Sequence, residues 1–326
     1  LMDLVAHSRA AAKRELAELE AFAGLSLEPW DIAWYSEKLR HQKYAISDEA
    51  LRPFFPLPRV MAGLFSVLER LYGLRIAPVD GIETWDQNAA YYQLSGADGR
   101  PVGAFYVDFY ARSTKRAGAW MDQCLNRSRD DGHVQIPVAH LVCNYSRPSA
   151  DRPSLLTHDE VVTLFHEMGH VLHHLLTRID YPSVSGINGV PWDAVELPSQ
   201  FMETFAWEPE VVALCSAHYQ TGEPLPATIL KSLRESKNFQ AGLDLVRQVE
   251  FALFDMRIHS GPEPADIAGI AEILREVRAE VAVIRYPAWN RLAHAFTHIF
   301  GGGYAAGYYS YKWAEVLAAD AFAAFE

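Results

Sequence analysis

Cysteine is scarce in this chain. Cys124, Cys143 and Cys215 are the only three among 326 residues, and no two of them stand in a C-x-x-C or other metal-binding spacing. That pattern excludes a disulfide scaffold and implies buried free thiols in a reducing compartment. No apolar run approaches the roughly 18 residues of a membrane span, and the basic residues form no cluster against a net charge of −12. Membrane insertion and nucleic-acid binding are excluded as readings on those grounds. Internal repeats and low-complexity linkers are also missing, and Pro and Gly are ordinary, so nothing indicates disorder. Residues 3–22 carry Arg9, Lys13, Arg14, Glu15, Glu18 and Glu20 in the pattern of an amphipathic helix, not of a signal peptide. The expectation is a cytoplasmic, monomeric protein with one large domain or two.

What is present begins with His166-Glu167-Met168-Gly169-His170, an H-E-x-x-H pentapeptide. A helix turns once in about 3.6 residues, so both imidazoles project from one face and can reach one cation. Glu167 stands beside them as a candidate general base for a water. The stretch opens on a capping box, Thr157-His158-Asp159-Glu160, and continues through Val161, Val162, Leu164, Phe165, Met168, Val171, Leu172 and Leu175. A helix this apolar is largely buried. Two buried imidazoles need partners, either a metal or core hydrogen bonds. Gly169 in mid-helix costs roughly 1 kcal/mol relative to Ala and predicts close approach of another backbone. His173 and His174, one turn beyond His170, read as packing or supporting residues.

Catalytic zinc takes three protein ligands and keeps one position for water. An H-x-x-G-x-x-H continuation is missing, since position 173 is His and position 176 is Leu. The other option is a carboxylate from a following helix. Glu196, Gln200 and Glu203 fall at i, i+4 and i+7, a single helical stripe interleaved with apolar residues. Glu196 is assigned as the third ligand, and Glu203 as the carboxylate that receives the free N–H of a ligating His. His166, His170 and Glu196 would then hold one Zn²⁺ per chain.

Phe165-His166-Glu167-Met168-Gly169-His170, together with Val195-Glu196-Leu197-Pro198-Ser199-Gln200-Phe201-Met202-Glu203, resembles the thimet oligopeptidase family of zinc metallopeptidases. Pro29-Trp30-Asp31-Ile32-Ala33-Trp34-Tyr35, Lys115-Arg116-Ala117-Gly118-Ala119-Trp120-Met121 and Gly302-Gly303-Tyr304-Ala305-Ala306-Gly307-Tyr308-Tyr309-Ser310-Tyr311 are also similar to family segments. The resemblance therefore covers nearly the whole chain, and implies a zincin-type catalytic domain of a mostly helical oligopeptidase. It matches His166, His170 and Glu196 to the zinc ligands and Glu167 to the general base. It further implies that His298 and Tyr311 stabilise the tetrahedral intermediate. Tyr304, Tyr308, Gly302 and Gly303 would meet substrate on a Gly-rich segment that closes over it. Tyr309 reads as a packing residue. Family members are longer, with an N-terminal helical half that would complete the substrate channel. The expectation is a catalytic-half fragment.

Apolar periodicity predicts helices over residues 3–22, 30–40, 61–72, 157–177, 196–206, 227–236, 239–258, 265–283 and 308–325. Strand patterns occupy 89–94, 102–110 and 138–145, the first two joined by the turn-forming Ser95-Gly96-Ala97-Asp98-Gly99. The fold class is mainly α with a small antiparallel β-sheet. Residues 1–326 read as a catalytic domain with a β-subdomain at about 84–145, zinc helices at 157–206 and the closing segment at 298–313. In zinc peptidases an edge strand beside the zinc helix pairs with extended substrate by β-augmentation. Residues 138–143 are the candidate for that edge; an internal strand without a free edge is the equal alternative. The loop 183–191, rich in turn formers, joins the two ligand helices.

The function expected is hydrolysis of internal bonds in short unstructured peptides, with metal-activated water and Glu167 as base. One alternative is a dipeptidyl carboxypeptidase, in which Arg112, Arg116 or Arg285 would hold a terminal carboxylate. The other is a catalytically incompetent peptide-binding fragment.

Overall fold

The computed structural model describes residues 1–262 and 266–325. It is mainly α, 52% helical, with a small mixed sheet and a separate two-stranded one. The longer helices are α1 (Met2–Ala23), α2 (Ile32–Tyr44), α3 (Leu57–Tyr72), α4 (His158–Leu175) and α5 (Leu197–Phe205). They continue with α6 (Pro209–Cys215), α7 (Ala227–Glu235), α8 (Ala241–Ser260), α9 (Ile267–Val281) and α10 (Ser310–Phe322). The strands are β1 (Arg75–Pro78), β2 (Ala90–Ser95), β3 (Pro101–Tyr110), β4 (Trp120–Leu125), β5 (Ser128–Asp130), β6 (His133–Gln135) and β7 (Val138–Tyr145). Among the described residues, no helix is long and apolar enough to cross a membrane.

Most predicted helices recur with shifted ends, and the shifts have local causes. The helix predicted to start at residue 61 starts at Leu57, with Pro58 in the first turn where its missing N–H costs nothing. For the prediction over 265–283, Ala265 lies outside the described residues. The helix runs Ile267–Val281, capped by the Asp266 carboxylate accepting from the Gly269 N–H at 2.9 Å. α6 escaped prediction because seven residues are too few to show a period.

The chain folds as two compact units. One comprises Leu1–Ser47 and Lys231–Trp313. Its core joins Val5 and Ala12 of α1 to Val246, Val249 and Phe254 of α8 and to Leu274, Val277 and Val281 of α9. A Cβ on Gly242 would lie 2.8 Å from the Ala12 backbone nitrogen, so only Gly lets α1 and α8 approach this closely. The Glu15 carboxylate then accepts from the N–H groups of Gly242 and Leu243, which open α8 and have no intrahelical partner.

The other unit comprises Asp48–Leu230 and Ala314–Glu326. Its sheet runs β1-β2-β3-β7-β4, antiparallel except for the parallel pair β3–β7. The β2–β3 hairpin turns at the predicted loop, where Gly99 has φ +77°. β7 lies between β3 and β4, which overturns the expectation that residues 138–143 form a free edge. The physical reason is legible in its nearly unbroken apolar run, buried along most of its length as an internal strand must be. β4 is one of the two outer strands, and among the described residues β7 is its one ladder partner. Its Asp122, Gln123 and Cys124 are exposed, so the expectation of buried thiols holds for Cys143 and Cys215 but not for Cys124, which sits on this edge strand.

Candidate metal centre

α4 starts where the capping box predicts. The Glu160 N–H donates to Thr157 Oγ1 at 3.0 Å, and the Thr157 N–H donates back to Glu160 Oε2 at 2.8 Å. Val161, Leu164, Phe165, Met168, Val171, Leu172 and Leu175 are buried along it. Gly169 has the packing reason that its position implied. A Cβ there would sit 2.5 Å from both the Pro198 carbonyl oxygen and Ser199 Cα, so α5 crosses α4 against bare backbone.

That crossing brings the two helices' polar groups together. Glu196 lies at the cap of α5, between it and the single turn Trp192–Val195, rather than inside the predicted helix. Its Oε2 is 3.3 Å from His166 Nε2 and 3.2 Å from His170 Nε2. The three donor atoms all lie within 4.8 Å of one another. Ligands held about 2.0–2.1 Å from a tetrahedral ion stand about 3.3–3.4 Å apart, so the set fits Zn²⁺ in donor type and in spacing. Ser199 Oγ steadies the carboxylate, donating to Glu196 Oε2 at 2.9 Å. On the other side of His166, Nδ1 meets Glu203 Oε1 at 2.5 Å, which fixes the ring with Nε2 turned toward Glu196.

The electrostatics follow from this packing. Burial alone would lower the His166 pKa, but its bonds to Glu196 and Glu203 outweigh burial and push it up. Glu196 is 1% exposed; burial would raise its carboxyl, yet His166 and His170 hold it well below the usual range. Glu167 is also buried, and burial lifts its pKa against the pull of His166, His170 and the Met121 backbone N–H. Met121 belongs to the edge strand β4, on which α4 packs. Sequence reasoning missed β4, because Trp120-Met121-Asp122-Gln123-Cys124-Leu125 has few β-branched residues and no clean alternation.

His298 and the tyrosines belong to the unit formed by Leu1–Ser47 and Lys231–Trp313, where they form an aromatic group of their own. The His298 ring centroid is 6.2 Å from that of Tyr304, 6.0 Å from Tyr308 and 6.3 Å from Tyr311. Tyr304 and Tyr311 are stacked at 5.1 Å. Tyr308 is buried and its hydroxyl donates to Gln248 Oε1 at 3.0 Å, while His298, Gly302 and Gly303 are exposed. A Cβ on Gly302 would lie 2.9 Å from the His298 carbonyl oxygen, and Gly303 has φ +88°. Tyr309 packs on the core of this unit. Asp255, fully buried in α8, anchors the segment by accepting from the N–H groups of Ala306 and Tyr308, each at 2.9 Å. Nothing in the sequence around Asp255 announced that role.

Peptidase family M3 matches residues 1–326. Oligopeptidase A of Escherichia coli (strain K12) is 53% identical over 332 residues, covering 100% of this chain and 49% of the relative. Oligopeptidase A of Haemophilus influenzae is 49% identical over 336 residues, again 100% of this chain and 49% of the relative. Dipeptidyl carboxypeptidase of Escherichia coli (strain K12) is 36% identical over 333 residues, 99% of this chain and 48% of the relative. The chain spans about half the length of these curated relatives.

Proposed function

The chain belongs to peptidase family M3, and from that premise we propose that it is a zinc-dependent oligopeptidase cleaving internal bonds of short unstructured peptides. The observation that carries this reading is the convergence of His166, His170 and Glu196 beside the buried carboxyl of Glu167. His166, His170 and Glu196 would hold the ion. When bound, zinc would supply Lewis-acid chemistry, lowering the pKa of a water and polarising the peptide carbonyl.

The chain's own residues do the rest. Glu167 takes the proton of the attacking water and passes it to the leaving amine. Burial raises its pKa, the direction that makes a carboxylate a stronger base. Glu203 holds His166 in the tautomer and orientation that present Nε2. The outer edge of β4, the strand on which the helix carrying Glu167 packs, is the surface on which an extended peptide would pair. By the family resemblance, His298 and Tyr311 donate to the tetrahedral intermediate. Tyr304, Tyr308, Gly302 and Gly303 belong to the segment that meets substrate.

The carboxypeptidase alternative is less well supported. Arg112 cannot be its carboxylate clamp, because the guanidinium is already bidentate on Asp108 at 2.9 and 2.8 Å. The test is cleavage of a quenched fluorescent peptide with both ends blocked, which a dipeptidyl carboxypeptidase cannot accept. Activity that chelation removes, zinc restores and Glu167→Ala abolishes supports the proposal. Absence of cleavage with one zinc bound per chain overturns it.

A further inference from the structure

His174 does not belong to the ligand set, yet it is completely buried one turn beyond His170. Its Nε2 donates to the Leu125 carbonyl oxygen at 3.0 Å, at the far end of β4. The strand needs holding there: its register against β7 is irregular between Gln123 and Leu125, and a bulged edge strand bends away from its ladder. α4 therefore packs along β4 and is bonded to it through His174 at Leu125. The loop between the ligand helices completes the arrangement. Gly186, at φ +65°, packs so closely on His174 that a Cβ would lie 2.3 Å from Nδ1. Two residues later, the Asn188 side-chain amide donates to Gln123 Oε1 at 2.7 Å and to Asn126 Oδ1 at 3.0 Å.

We infer that His174 is a positioning residue for peptide recognition: with Asn188 it pins the outer end of β4, so that an extended peptide pairs along the whole edge in one register against Glu167. The inference rests on the peptidase reading above. His174 touches no substrate atom and acts through the Leu125 carbonyl. A strand rises about 3.3 Å per residue, so roughly 13 Å separates the Met121 end from the Leu125 end. Only a peptide reaching about four residues beyond Met121 senses the pin.

The test compares two end-blocked fluorogenic peptides, one of about four residues and one of about twelve, on this chain with zinc bound. In His174→Leu, KM for the long peptide rises about tenfold, while its kcat and the KM of the short peptide stay within about twofold. His174→Gln, which keeps an amide N–H at similar reach, restores the long-peptide KM. Amide exchange at residues 123–126 quickens in the Leu variant and not in the Gln variant. Equal KM changes for both peptides, no change for either, or a Gln variant no better than Leu would overturn the inference. Should His174→Leu not fold, Asn188→Ala, which cuts the ties to Gln123 and Asn126 together with a bond to the Ser185 carbonyl in its own loop, must show the same dependence on length. Anisotropy of both labelled peptides in a Glu167→Gln background separates this inference from the catalytic one. Length-dependent binding without cleavage in the parent chain sinks the peptidase reading alone, whereas no binding of either peptide sinks both.

Discussion

His166 and Glu203 face each other at 2.5 Å across the α4–α5 crossing, 37 residues apart in sequence. The pair orients a ring on one helix so that its Nε2 is aimed at a carboxylate on the next. Removing it leaves all three ligand atoms in the chain but frees the His166 ring to rotate and to exchange tautomers. Glu203→Ala is therefore expected to weaken zinc binding by about 10–100-fold, the usual cost of losing such a partner. Competition with a chelator measures it, and unchanged affinity would show that packing alone orients the ring.

Glu167→Gln separates proton transfer from metal binding. The amide is nearly isosteric, and Glu167 is not among the three converging candidate ligands. Zinc content should remain at one per chain, while kcat falls by about 10²–10⁴-fold, the usual contribution of a positioned general base. Loss of zinc in this variant would instead mean that Glu167 belongs to the ligand set.

The contrast between these residues and the ones that sequence reasoning missed is physical. His166, His170, Glu196, Glu203 and Gly169 were legible because a helix imposes a fixed period, so spacing alone says which side chains share a face. His298, Tyr304, Tyr308 and Tyr311 were legible only through resemblance to a family, as their grouping depends on irregular backbone around Gly302 and Gly303. β4 was not legible, because an exposed edge strand lacks the apolar alternation that marks a half-buried one. Asp255 and His174 act through backbone groups distant in sequence, and no local pattern encodes such a bond.

Gly169→Ala tests whether the helix crossing sets the ligand geometry. The added methyl would meet Pro198 and Ser199 backbone at 2.5 Å, and backbone cannot rotate aside as a side chain can. The helices must separate, carrying Glu196 away from His166 and His170. Overpacking of this kind costs about 1–3 kcal/mol despite Ala's better helix propensity. The expected result is a lower urea midpoint together with weaker zinc affinity; a more stable variant with unchanged affinity would sink the argument.

Asp108 gives a prediction for pH. It is 5% exposed on β3, and burial would raise its pKa. The Arg112 fork, the Trp85 indole N–H and the Lys115 ammonium outweigh that and hold it at about 2. The Lys115 side chain is buried, with Nζ 2.9 Å from Asp108 Oδ1, and the pair secures the turn that feeds β4. An unfolded Asp titrates near about 3.9. Above that pH the stabilisation is fully present; as acid is added the unfolded chain takes up the proton first, and the contribution is lost as pH falls through about 4 toward about 2. Asp108→Asn removes the charge and leaves the buried Lys115 without it, a change that typically costs about 3–5 kcal/mol. Urea unfolding of both proteins at pH 5, 4 and 3 should show a large stability gap at pH 5 that narrows steadily with acid. A gap that stays constant across this range would mean that Asp108 contributes shape and hydrogen bonds alone, without its charge.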